Sequence, residues 1–475
     1  MPVHRHRVEL DHPVEEVFAW HTRPGAFERL SPPWEDVRVR EREGGIRAGG
    51  RVVLGLRKGP AELTWEVEHT AYEENRLFVD EQRSGPFQKW RHEHRFESLP
   101  GGRSALEDVV EWEPPLGSLG ETFGGGYIQR NLERLFVFRG VRLADDLARH
   151  RRYGEPGPLT VAITGATGFI GTHLTHLLTS GGHRVVRVTR GEAGPDAVRW
   201  DPARGEMDPA GLEGVDAVVH LAGEPIVGLR WTAAKKRAIL RSREVGTLTL
   251  ARALAAMDRP PSVLVSASGV DYYGERGDEL LGESAGAGSG FLADVCEKWE
   301  SATLPARSRG IRTVHLRTGI VLSPAGGVLG TLLLPFQLGV GGRLGSGRQY
   351  MSWIDLDDHL GLILHALRVP EVRGALNATA PNPVPNAAFT DVLGRVLGRP
   401  TLLPVPALAI RTLLGEMGEE LLLQGQRVSP ELALRTGFTF LRPHLEDALR
   451  FQLGREESSP EAGPDRLPPS SPGAM

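Results

Sequence analysis

The chain has 475 residues and a formal net charge of −4, from 56 Lys and Arg against 60 Asp and Glu. That mixed, near-neutral balance leaves no basic footprint for nucleic acid, and no run of about 18 apolar residues offers a membrane span. One cysteine, Cys296, leaves no intrachain disulfide to form, and the N-terminus Met1-Pro-Val-His-Arg-His-Arg7 lacks the apolar core of a signal peptide, so a reducing, cytoplasmic setting is expected for two or three domains.

Residues 1–152 read as an α+β domain. Alternation in 63–67 and 106–112 gives half-buried antiparallel strands. Ile128, Leu132, Leu135, Phe136, Leu143 and Leu147 then recur at helical spacing, which gives a long helix packed on that sheet. His92 and His94 share one strand face by the period of two. Two histidines can begin a metal site, but no third ligand is evident nearby in sequence. They are read as structural or pocket-lining, and no metal is expected.

A Gly/Pro cluster at 153–158 marks a linker, and a new pattern follows it. An apolar run ends in Thr164-Gly165-Ala166-Thr167-Gly168-Phe169-Ile170-Gly171, and Ile170, Leu174, Leu177 and Leu178 then lie on one helical face. Strand, glycine turn and helix together make a dinucleotide cradle, because glycines let backbone N–H groups approach a pyrophosphate at a helix N-terminus. Further strands are expected at 184–189, 217–221, 263–268, 313–317 and 374–378, with stretches between them long enough for helical crossovers. The fold class is therefore α/β, a doubly wound parallel Rossmann sheet over 158–400. Residues 401–453 read as a small helical cap ending in a strand or turn at 436–440, and the Ser/Pro/Glu/Gly-rich residues 454–475 as a disordered tail.

The second strand ends Val188-Thr189-Arg190, without the acid that usually accepts the ribose hydroxyls of NAD. Arg190 is either a ligand of a 2′-phosphate or a solvated surface arginine. The first is the expectation, which makes NADP the cofactor, with Glu192 nearby as the residue that would favour NAD. Leu221-Ala222-Gly223 follows a buried strand and is expected to pass beneath a cofactor ribose.

Two resemblances extend this reading. Pro13-Val-Glu-Glu-Val-Phe18, Ser31-Pro-Pro-Trp34, Gly85-Pro-Phe87 and Trp90-Arg-His-Glu-His94 resemble the START-like helix-grip family of polyketide cyclase and lipid-transport domains. That resemblance implies a cavity for an apolar ligand between sheet and helix. Leu221–Ile226, 266–274, 291–300, Arg317-Thr-Gly319, Gly345-Ser-Gly-Arg-Gln349 and Ser352-Trp-Ile354 resemble the atypical, epimerase-like branch of the extended short-chain dehydrogenases/reductases, with a DUF1731-like cap in Gly425–Pro430 and Gly437–Phe440.

The second resemblance implies cofactor contacts from Gly165, Thr167, Gly168, Phe169, Ile170, Gly171, Ser266 and Arg317, and a polarising role for Ser268. It also exposes a departure. The superfamily's Tyr-x-x-x-Lys pair falls on Phe291 and Val295, which can neither donate a proton nor lower a tyrosine pKa. Tyr272 and Tyr273 are the candidate replacements. The leading expectation is an atypical NADP-dependent oxidoreductase or epimerase acting on a small, apolar or otherwise unidentified molecule. A non-catalytic NADP(H)-binding redox sensor and an apolar-ligand carrier are the alternatives.

Overall fold

The computed structural model describes residues 2–456 apart from 60, 116, 193, 195 and 229. The tail expected at 454–475 lies, from 457 onward, outside the described residues. Among the described residues the chain divides into two compact units: 2–19 with 37–144, and 20–36 with 145–453.

The first unit carries seven strands: β1 (Val3–Leu10), β2 (Asp36–Glu43), β3 (Arg51–Lys58), β4 (Ala61–Glu73), β5 (Leu77–Ser84), β6 (Lys89–Leu99) and β7 (Arg103–Glu113). They form one antiparallel sheet in the order β1-β7-β6-β5-β4-β3-β2. The long helix is Gly117–Arg152. Its Leu132 and Phe136 pack with Trp90, Val110 and Trp112, which alternate inward from β6 and β7. The expected helix-on-sheet arrangement is present, although the gripped face is not uniformly apolar, because it also holds the histidines of β1 and β6.

In the second unit the sheet has eight strands. Those first in chain order are β8 (Thr160–Thr164), β9 (Arg184–Thr189), β10 (Ala197–Asp201), β11 (Glu206–Met207), β12 (Ala217–His220) and β13 (Val263–Gly269). The strands Arg312–Thr318 and Gly374–Ala378 complete the order β11-β10-β9-β8-β12-β13 and then outward. Every pairing is parallel except β10 with the edge strand β11. Side chains alternate between two apolar layers. Val161, Ile163, Val219 and Val265 meet the helices Phe169–Ser180 and Leu356–Arg368 on one face. Ala162, Val218 and Leu264 meet the helix Ala233–Ala256 on the other. Strands covered on both faces read as continuous apolar runs, which is why they are legible in sequence. β10 and β11 are short and polar at alternate positions, and the sequence pattern passes over them. The cap ends in the helix Leu445–Gln452, beyond the turn at 436–440.

Candidate functional site

The glycine turn sits between β8 and the helix Phe169–Ser180, and each glycine has its own cause. Gly165 has φ +69°, and a Cβ there would press on Leu221 and Ala222 at 3.1 Å. Gly168 is the N-cap of the helix and offers no side chain to cap it, so the N-terminus is left to backbone donors. A Cβ on Gly171 would lie 2.2 Å from the Gly165 carbonyl oxygen, so only glycine lets the helix sit this close to the strand. Thr167 is exposed in the turn, while Phe169 and Ile170 are half-buried. These residues fit a dinucleotide, because the space a side chain would fill is kept open beside backbone N–H groups and a helix N-terminus.

The loop after β12 is tied to this turn. The amides of Leu221 and Ala222 donate to Thr164 Oγ1 at 3.1 Å each, and that hydroxyl donates a hydrogen bond to His220 Nδ1 at 2.7 Å. His220 Nε2 reaches Thr247 at 2.9 Å. Burial, with Arg243 behind it, pushes the imidazole down to about 4, so it stays neutral and keeps this tautomer. Thr164 and His220 are positioning residues that sequence reasoning missed; each reads there as an ordinary strand-end residue. Gly223 lies against the guanidinium of Arg243, 3.3 Å from where a Cβ would be. Arg190 stands exposed just past the end of β9, the strand beside β8.

At the end of β13 the structure joins several of the expected residues in one buried network. Ser268 donates to Glu300 Oε1 at 2.8 Å. Arg317 holds the same carboxylate with two donors, at 2.8 and 2.9 Å, and gives a third to the Tyr273 hydroxyl at 3.0 Å. Tyr273 in turn donates to Asn377 Oδ1 at 2.7 Å and has no exposed surface. The Arg317 guanidinium also lies 3.5 Å from the Tyr272 ring centre. Burial raises the Tyr273 phenol, with Arg317 opposing. The Tyr273 hydroxyl proton and most of the Arg317 fork are engaged within this network. Ser266 is buried within β13. Tyr272 is half-buried beside the network.

Asp271 lies in the turn Val270–Tyr273 that follows Ser268 by two residues. Burial is the main force lifting its carboxyl to about 6, helped by Glu420. A carboxyl perturbed this way at the C-terminal end of a central strand fits proton transfer near neutral pH. The sequence offered no signal for it, since the perturbation comes from neighbours distant in the chain. Cys296 is buried, and its thiol is pushed up to about 12, chiefly by burial, so it is no nucleophile. Phe291 packs edge-on to Trp231 at 5.2 Å, with Lys236 Nζ 4.3 Å from its ring centre. Val295 is buried and Lys298 exposed.

Comparison with known proteins agrees with this geometry. The NAD dependent epimerase/dehydratase family matches residues 161–378. The polyketide cyclase / dehydrase and lipid transport family matches 10–136, and a domain of unknown function, DUF1731, matches 405–452. An epimerase family protein of Mycobacterium bovis is 44% identical over 296 residues, covering 62% of this chain and 98% of its own. A nucleoside-diphosphate sugar epimerase from Corynebacterium glutamicum has a similar structure over 96% of this chain and 91% of its own, with a TM-score of 0.79 and 32% identity. The human epimerase family protein SDR39U1, in a structure with NADPH, matches 62% of this chain and 98% of its own, with a TM-score of 0.57 and 38% identity. With such relatives aligned over nearly their whole length, the chain belongs to the NAD(P)-dependent epimerase family.

Proposed function

We propose that this protein binds NADP(H) and is an atypical oxidoreductase or epimerase for a small molecule, with a carboxyl in place of the usual tyrosine. The observation that carries the cofactor reading is the open, uncapped helix N-terminus beside Gly165 and Gly171, with Arg190 at the neighbouring strand end. The backbone of 165–171 would hold the pyrophosphate, Arg190 the 2′-phosphate, and Leu221–Gly223 would pass the ribose. A bound nicotinamide supplies or accepts the hydride. Ser268, whose own proton goes to Glu300, accepts from a hydroxyl of the substrate, and Asp271 keeps a proton that the reacting oxygen can take. The NADPH in the human relative's structure supports the same choice of cofactor. Calorimetric titration with NADPH and NADH tests the reading; tighter binding of NADPH is expected, and equal affinity would overturn it.

A non-catalytic NADP(H)-binding role is the second reading. Phe291 and Val295 at the usual acid/base positions favour it, as does the internal engagement of Tyr273. Absence of NADPH oxidation across carbonyl and sugar-nucleotide panels, together with NADPH binding, would favour this role over turnover.

A further inference from the structure

The gripped face of the first unit holds a cluster that its sheet register assembles from three strands. Asp80 on β5 lies opposite His92 on β6, and His94 on β6 lies opposite Asp108 on β7. His92, His94 and Asp108 are buried. The long helix covers them with Phe136, whose ring centre is 5.3 Å from that of His92.

The two sides of the cluster differ. On one side His92 Nδ1 and His94 Nε2 both point to a single oxygen, Asp80 Oδ2, at 3.3 Å each. On the other side the remaining ring nitrogens meet a single oxygen, Asp108 Oδ1, at 3.0 Å from His92 Nε2 and 2.8 Å from His94 Nδ1. The first of these is a hydrogen bond, and the second a close ion-pair contact. Metal-ligating imidazoles commonly give their far N–H to a carboxylate, which fixes ring tautomer and orientation. Here one carboxylate serves both rings.

We propose that Asp80 Oδ2, His92 Nδ1 and His94 Nε2 bind a divalent transition-metal ion of the zinc class, with Asp108 orienting both imidazoles. One ligand atom from each of these three residues lies within 4.8 Å of the other two. Ligands at zinc's usual bond lengths stand about 3.3–4.2 Å apart, and both nitrogens already stand 3.3 Å from Asp80 Oδ2. Two imidazoles and a carboxylate suit zinc, iron or manganese, whereas magnesium and calcium take oxygen ligands. The site falls in the part of the chain that matches the polyketide cyclase family, outside residues 161–378, and does not depend on the cofactor reading.

The test uses the full chain freed of metal by a chelator and titrated with Co²⁺. One equivalent should bind, with visible ligand-field absorption that Zn²⁺ abolishes. Asp80→Asn and His94→Gln should weaken binding at least 100-fold, and Asp108→Asn by about 10–100-fold. The near-ultraviolet tryptophan dichroism reports whether each variant is folded. X-ray absorption of the zinc-loaded wild type, expected to give two imidazoles and oxygen ligands, needs no variant. Absence of stoichiometric Co²⁺ binding in the wild type would overturn the proposal, as would binding unchanged in folded Asp80→Asn and His94→Gln chains.

Discussion

Arg190 lies at the end of β9 with its side chain exposed, and its worth is confined to what it binds. Arg190→Ala should weaken NADPH by roughly tenfold to a hundredfold, the range of a charge-assisted contact, and leave NADH nearly unchanged in calorimetry. Asp271 is a different case, since its proton is held by the fold. With its carboxyl lifted to about 6, chiefly by burial, the acid form is lost as pH rises through that value. Any reduction rate should therefore fall above about pH 6, and Asp271→Asn should remove that limb of the profile. His359 is fully buried, with neither ring nitrogen hydrogen-bonded, and burial alone pushes it down to about 4. An unfolded histidine takes its proton near pH 6.5, so the unfolded chain binds more protons than the folded one between these values. Stability contributed by the neutral ring is complete above about pH 6.5 and is lost as pH falls toward 4. His359→Leu should reduce the loss between pH 7.5 and 5 by about 2 kcal/mol, measured by urea unfolding at both pH values.

The helix Leu356–Arg368 begins among three buried aspartates, which is costly unless each has a partner. Asp355 caps it, accepting from the Asp357 amide at 2.9 Å, and also accepts from Gln452 at 2.7 Å. Arg29 grips Asp146 with two donors and reaches Asp357 at 2.9 Å. Asp358 accepts from the amides of Leu441 and Arg442 at 2.8 and 3.0 Å. Arg29→Ala should cost about 3–5 kcal/mol by leaving these buried carboxylates uncompensated, and adding Asp357→Asn should return part of that in thermal unfolding. Burial beside Asp357 pushes Asp355 up to about 7. It is a cap within a structural cluster. In the glycine turn, Gly171→Ala must move the helix off β8, because its Cβ would overlap the Gly165 carbonyl. Loss of NADPH binding is expected in titration, well beyond the roughly 1 kcal/mol that backbone propensity alone involves.

At the scale of the whole chain, residues 20–36 lie within the N-terminal third of the sequence yet belong with the second unit. Gly25 there sits so close to the helix Phe169–Ser180 that a Cβ would meet the His176 carbonyl at 2.5 Å. A fragment starting at residue 156 should fold, but with a lower thermal midpoint. Asp357→Asn should raise that midpoint in the fragment by more than in the full chain, because only the fragment lacks Arg29. A boundary at residue 152 was a natural reading of the linker, and nothing local in the sequence marks 20–36 as belonging elsewhere. By itself the sequence determined the glycine cradle, the parallel strands from β8 to Gly374–Ala378, and the helix gripping an antiparallel sheet. Those features are local: periodicity, glycine spacing and residue type are written in consecutive positions. Tertiary structure alone decided that Tyr273 and Arg317 engage each other and Asn377, that Asp271 is the perturbed carboxyl, and that His92 and His94 acquire Asp80 and Asp108. Each of these depends on strand register and burial, which bring together side chains that are neither consecutive nor spaced by any pattern.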